Sequence, residues 1–369
     1  MTNLTQKFSK QFVGAAIRVV TLALFLVVFG AGAALAQTRA YVTNGFSDNV
    51  SVIDPATNTV VATISVGGRP RGIAVTPNGA FAYVVNRGDG TVSVINAATD
   101  TVVATVPVGS LPQRIAITPN GAFAYVTNSF GTISVINTAT DTVAVTIPVG
   151  GNPSDIAITP NGAFAYVVDT LGGSVNVINT ATNTVATTVP APASNAVAIT
   201  PDGAFAYVTH FSSNTVSVLS TATNTVVTTV TVGGSPSGVD ITPDGAFAYV
   251  ANQAANTVSV IATATNTVVA TVPVGANPLG VAINPNGAFA YVANDTSNTV
   301  SVISTVTNTV VATIPVGVRP EYIAFSVRTL SAPTNKDQCK NGGWATFTNP
   351  AFSNQGQCIK FVNHMNEVH

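Results

Sequence analysis

One recurring tyrosine constrains this chain more than any other feature. It stands at Tyr41, Tyr83, Tyr125, Tyr166, Tyr207, Tyr249 and Tyr291, at spacings of 42, 42, 41, 41, 42 and 42 residues. Self-similarity at a period near forty marks a repeat architecture, in which each copy is one supersecondary unit. The clearest copy is Ile115 to Gly150, IAITPNGAFAYVTNSFGTISVINTATDTVAVTIPVG. Its apolar residues alternate with period two, the signature of strands, and Val and Thr are too frequent for helices.

Four strands fit within one copy: Ile115 to Thr118, Ala122 to Asn128, Thr132 to Asn137 and Thr142 to Val149. Thr118-Pro119-Asn120-Gly121 is a type I turn with Pro at its second position and Gly supplying positive φ. Thr-Ala-Thr-Asp at 138–141 makes the turn between the last two strands. In Ala122-Phe123-Ala124-Tyr125 the aromatics project from one face and the alanines from the other. A bulky face then seats on the small-residue face of the next copy, the fit that close packing requires. Phe recurs at 81, 123, 164, 205, 247 and 289, and the first copy carries Arg39 instead. Four antiparallel strands in about forty residues describe a propeller blade. The fold class is all-β, a seven-bladed β-propeller.

The chain ends predict how the ring shuts. The first copy lacks a leading strand, and the last is followed by an orphan, Arg319 to Val327. The orphan is expected to complete the N-terminal blade as its innermost strand, removing the open edges that template aggregation.

Residues 1–36 read as a secretory signal peptide. Lys7, Lys10 and Arg18 form a positive leader, Val19 to Gly30 an apolar core, and Ala34-Leu35-Ala36 a small-x-small cleavage site. The alternative is an uncleaved anchor, since the uncharged run from Val19 to Ala36 is near the lower limit for a membrane span. Only 7% of residues are charged, and without the leader 10 Lys and Arg face 14 Asp and Glu. That net −4 offers no basic field for nucleic acid.

Tyr-Val-Thr-Asn at Tyr41–Asn44 and Tyr125–Asn128, with Thr-Pro-Asn-Gly and Thr-Val-Ser-Val-Ile, resembles the YVTN-family β-propeller repeat over roughly residues 38–327. The resemblance implies a propeller of the kind found in secreted and surface-layer-associated bacterial and archaeal proteins, generally without assigned activity. That fold is related to lactonase-type and haem d1-type propellers, whose chemistry fold likeness does not carry over. On this reading the propeller spans 37–327, a linker 328–335, and a small module 336–369. In an exported chain the lone pair Cys339 and Cys358 reads as a disulfide, with free thiols or a metal site as alternatives. Cys-Lys-Asn-Gly-Gly-Trp and the following Phe-Ser-Asn-Gln-Gly-Gln-Cys resemble a short C-terminal module of secreted bacterial proteins. Surface retention and a simple stapled terminus are both open for it.

Comparing copies separates scaffold from candidate site. The turns after the first and third strands barely vary and share one rim. The opposite rim carries the inter-blade loops and those between second and third strands, which diverge by binding or by drift. There Arg69, Arg71, Arg114 and Arg319 gather from adjacent blades with Asp155, Glu321 and Tyr322. Four guanidinium groups near a channel mouth suit a carboxylate, sulfate or acidic sugar, against the plainer reading of a salt-bridged rim. Elsewhere the Asn of Tyr-Val-Thr-Asn becomes Asp169 and His210, and Asp240 replaces a channel-facing Ala. These three are candidates for an acid–base or metal cluster, or are separately satisfied polar residues.

The leading expectation is an exported, non-catalytic propeller, a binding or cell-surface scaffold protein. Its expected partners are an anionic glycan, a cell-envelope polymer or another protein, with no cofactor and no membrane span after cleavage. The rival is a lactonase- or lyase-like enzyme using Asp, His and Arg at the mouth. Three His and two Glu in the mature chain are thin material for acid–base work. No Gly-x-Ser-x-Gly, His-Glu-x-x-His or Cys-x-x-Cys-His is present.

Overall fold

The computed structural model describes residues 35–330 and 355–367. Residues 35–330 form seven four-stranded antiparallel sheets. In the third blade the strands are Pro112–Ile117, Phe123–Asn128, Thr132–Asn137 and Thr142–Pro148. The first strands of successive blades adjoin around the centre. Each begins earlier than the apolar pattern suggests, because Pro112 pairs with Asn128 before the register slips ahead of Ile115.

The turns follow their chemistry. Gly121 has φ 74° and donates its N–H to the Thr118 carbonyl at 2.7 Å. Asn120 Oδ1 accepts from the Ala122 N–H at 3.0 Å and from Thr118 Oγ1 at 2.7 Å. Asp141, at the end of the third-to-fourth-strand turn, lies at φ 51°, a left-handed conformation that Asn and Asp tolerate better than other side chains. Sheets packed on both faces bury their middle strands almost throughout, whereas the outermost strand exposes much of its length.

The recurring tyrosine holds the blades together. Tyr125 is 1% exposed and packs on Ile156, Ala165, Val167 and Ile178 of the fourth blade. Its hydroxyl donates to Asn183 Oδ1 at 2.6 Å. Asn183 is the positive-φ residue of the next blade's outer turn. Every seam repeats the arrangement, from Tyr41 on Asp100 at 2.9 Å to Tyr249 on Asn308 at 2.7 Å. Burial first, and a nearby Asp54, push the Tyr291 hydroxyl up to about 12, so it remains a donor at any ordinary pH.

Ring closure occurs as the chain ends predict. The strand Pro320–Leu330 pairs with Leu35–Asn44, placing Val42 opposite Ile323 and Tyr41 opposite Ala324. The closing seam joins the seventh blade to the first, with Tyr291 against Ala40, Val42 and Ile323 and its hydroxyl on Asn58 at 3.1 Å. Phe325 meets the Tyr291 ring edge-on at 5.1 Å and 82°. Arg39, standing where other blades have Phe, instead pairs with Asp54 at 2.7 Å. Pairing extends to Leu35–Leu330, so the closing sheet includes two residues of the segment expected to be cleaved and three of the expected linker.

Gln355–Glu367 is an α-helix with Cys358 buried. Cys339, residues 1–34 and the remainder of the expected C-terminal module lie outside the described residues. Among the described residues no helix is long and apolar enough to cross a membrane.

Removing the Tyr125 hydroxyl isolates one seam contact. Tyr125→Phe should cost about 1 kcal/mol and Tyr125→Ala about 3–5 kcal/mol. Urea unfolding curves of the two variants against the parent chain check both values.

Candidate functional site

On the variable rim, loops from several blades enclose a hollow of about 290 Å³. Arg69, Arg71, Arg87, Arg319, Asp295, Glu321 and Tyr322 line one part of it; Asn195, Phe211, Ser237, Gln253, Asn277 and Leu279 line the rest. Arg69 and Arg71 precede and open the innermost strand Pro70–Val75, and Arg319, Glu321 and Tyr322 do the same at Pro320–Leu330. A sheet edge facing a channel fans such residues toward one point, so neighbouring blades supply a common cluster.

The charges are unevenly matched. Arg319 forms a bidentate pair with the buried Asp295, Nε–Oδ2 at 2.8 Å and Nη2–Oδ1 at 3.0 Å. Arg71 Nε lies 3.2 Å from Glu321 Oε2, off the hydrogen-bonding direction, and its Nη1 donates to Gln113 Oε1. Arg114 Nε is 3.6 Å from Asp155, and its guanidinium stacks on the Tyr322 ring. Arg69 and Arg319 both stand over the Phe46 ring, at 5.8 and 4.5 Å. Among the described residues neither Arg69 nor Arg87 has a carboxylate within ion-pair distance, and Arg87 Nε is enclosed with no acceptor.

Titration follows that layout. Burial opposes the Arg71 charge, but Tyr322 and Glu321 outweigh it and its pKa ends above the usual arginine value. Arg87 is lowered, first by burial and then by Arg71 and Arg69. Burial raises Glu321 despite Arg71 and Arg114 beside it, and raises Asp155 despite Arg114. A carboxylate easier to protonate than usual, set among guanidinium groups, can both hold a proton and orient an anion.

Arg69, Arg71, Arg319, Glu321 and Tyr322 are therefore gathered as the sequence suggests, with Arg114 and Asp155 adjoining through the Tyr322 stack and the Arg114 pair. Asp169, His210 and Asp240 each have separate partners, which is the second of the two readings that the sequence left open for them. Asp169 Oδ1 accepts the N–H groups of Asn152 and Gly172 at 2.7 and 2.8 Å. His210 Nδ1 lies 2.8 Å from the Pro192 carbonyl and Nε2 2.7 Å from Ser217 Oγ, and burial lowers its pKa. Asp240 accepts from its own neighbour Ile241 at 2.9 Å and from Ile283 of the next blade at 2.7 Å. Among the described residues no group of three or more His, Cys, Asp or Glu is placed to hold a metal.

Local packing explains the first two substitutions. In most blades the Asn of the motif donates to two hydroxyls, as Asn128 does to Thr132 and Ser134 at 3.1 and 3.0 Å. A Cβ at Gly109 would lie 2.5 Å from that amide, so Asn and the loop glycine are needed together. The fifth blade changes both, with His210 against an Ala191-Pro192 loop. Sequence reasoning missed Arg87 and Asp295, which begin the loops after the second strands of their blades. The signal was present: other copies have Ser129, Thr170 or Gln253 there.

Comparison with known proteins agrees with this architecture. The family model "Lactonase, 7-bladed beta-propeller" matches residues 130–268 and 198–313. The chain resembles the lactonase propellers. Among solved structures, hydrazine synthase of Kuenenia stuttgartiensis is 27% identical, with a TM-score of 0.68 over 72% of this chain and 92% of that one. A putative 6-phosphogluconolactonase from Bacteroides uniformis is 19% identical, with a TM-score of 0.67 over 78% and 99%. Dihydro-heme d1 dehydrogenase NirN is 13% identical, with a TM-score of 0.59 over 77% and 74%. The last two likenesses bear on fold alone. No curated relative matches the sequence.

Asp240 gives a pH test of the channel wall. Burial raises its pKa from 3.8 to about 6 despite two N–H donors. The folded state thus holds this proton more tightly than the unfolded chain, so the stability it adds is present below pH 4 and is lost as pH rises through 6. Asp240→Asn should remove a decline of the order of 2 kcal/mol between those values. Thermal unfolding of both proteins across pH 4–7 measures the difference.

Proposed function

We propose that the chain is a lactonase-type hydrolase whose channel mouth takes a small anionic lactone. The observation that carries this reading is the Glu321 carboxylate, partly buried beside Arg71 within a hollow that also holds Arg69, Arg87 and Arg319. In the proposed step Glu321 takes a proton from water as its oxygen attacks the lactone carbonyl. Arg71 stabilises the oxyanion that develops, a task suited to a fixed guanidinium in a partly desolvated site. Ring opening breaks the acyl C–O bond, and the departing alkoxide recovers the proton from Glu321, giving a hydroxy acid. Arg69 and Arg87 hold the substrate's anionic group. The family match and the neighbour described as a putative 6-phosphogluconolactonase support a sugar lactone bearing an acidic group.

A second reading, binding without turnover, is favoured by the separate pairing of Asp169, His210 and Asp240. On it the chain is a surface scaffold of the YVTN type that captures an anionic glycan, cell-envelope polymer or protein. Export through the N-terminal leader and retention through residues 336–369, stapled by Cys339 and Cys358, belong to both readings. Comparing cell fractions with and without residues 336–369 tests the retention.

Hydrolysis of phosphorylated and unphosphorylated sugar lactones, followed by pH-stat, separates the two readings. Glu321→Gln should lower kcat/KM by about 10²–10⁴-fold. A parent chain that binds the hydroxy-acid product yet leaves the spontaneous rate unchanged would end the hydrolase reading and leave the scaffold.

A further inference from the structure

The lip of the hollow divides by polarity around the ring. The loop between second and third strands carries Arg87 in the second blade and Asp295 in the seventh. The same loop carries Phe130, Leu171 and Phe211 in the third, fourth and fifth blades, exposed by 71%, 78% and 41%. Phe46 of the first blade is also exposed, by 54%, but it stands on the charged side of the lip, where the Arg69 and Arg319 guanidinium groups lie 5.8 and 4.5 Å from its ring. The opposite rim shows one such residue among the described turns, Val306. The three on the variable rim stand on consecutive loops, whereas apolar side chains scattered singly over a surface need no explanation.

Phe211 ties the apolar arc to the charged seat. It lines the hollow together with Leu279, while Arg69, Arg71, Arg87 and Arg319 outnumber Asp295 and Glu321 in the same wall. A ligand whose anionic group meets Arg69 and Arg87, which have no carboxylate within ion-pair distance among the described residues, therefore has an apolar surface available at Phe211, with Leu171 and Phe130 on the next loops along the rim. A fully polar sugar acid, which the same seat can take, leaves that surface wet. An anion with an aliphatic chain covers it.

We propose that the mouth binds amphiphilic anions, molecules joining a carboxylate or phosphate head to an aliphatic chain that leaves across Phe211. The inference rests on the anion seat described under the proposed function and specifies what that seat accepts. The head is held by charge, and each buried methylene adds affinity through removal of apolar surface from water.

Calorimetric titration of the full chain with inorganic phosphate and with straight-chain carboxylates from butanoate to decanoate, all monomeric, tests it. Affinity should rise with length, by up to about fourfold per methylene. Phe211→Ser should flatten that dependence and leave phosphate binding unchanged. Arg87→Met should weaken every anion by a similar factor. Phosphate binding with no dependence on chain length would overturn the amphiphile proposal and leave the seat standing. Loss of binding by every anion tested would overturn the seat itself. A parent chain that sediments with anionic phospholipid vesicles but ignores monomeric decanoate would make the arc a membrane-contact surface and end the proposal.

Discussion

The fold depends on one contact made seven times: a buried tyrosine ring whose hydroxyl reaches a left-handed Asn or Asp in the next blade. Each half of the contact requires the other. The ring removes apolar area from water, on the order of 150–250 Å² per aromatic. A phenol at that depth needs an acceptor, and the outer turn supplies one only where the backbone accepts positive φ. Packing between sheets and turn conformation at their edges are thus coupled, which keeps both the tyrosine and the Thr-Ala-Thr-Asn type of turn regular along the chain.

That coupling also decides what could be read in advance. Blade number, the turn at Thr118–Gly121 and closure by the segment around Ile323 were legible, because each follows from local chemistry repeated at a fixed period. The gathering of Arg69, Arg71 and Arg319 was legible because first strands converge on the channel. The roles of Asp169 and His210 were not. Both looked like departures from a motif, and only the facing loops, with Gly151 and Gly172 around Asp169 and Pro192 beside His210, reveal them as packing solutions. Arg87 and Asp295 escaped notice for a related reason. Their loops diverge in every copy, and difference alone does not say which side chain turns inward.

The functional rim contrasts with the scaffold beneath it. Blade interiors tolerate little change, since Tyr, Ala and Val alternate against a neighbour of the same pattern. Several residues at the channel mouth still join neighbouring blades, as Tyr322 packs with Ile73 and Arg114 pairs with Asp155. Asp240 stands where other blades place Ala and bridges the sixth and seventh blades through the Ile283 N–H, as Asp155 bridges the fourth and fifth through the Val197 N–H. Burial makes the Asp240 charge costly, and the bridge offsets part of that cost.

The sheet that shuts the ring draws strands from both ends of the propeller, 35–44 and 320–330. No ribosome can deliver that sheet early. Until Leu330 has emerged, the strand bearing Tyr41 lacks its inner neighbour, and six finished blades still have two open ends. Completion of the toroid is therefore an all-at-once event timed by the last part of the propeller to appear, and a chain arrested before it carries sticky edges at both sides of the gap.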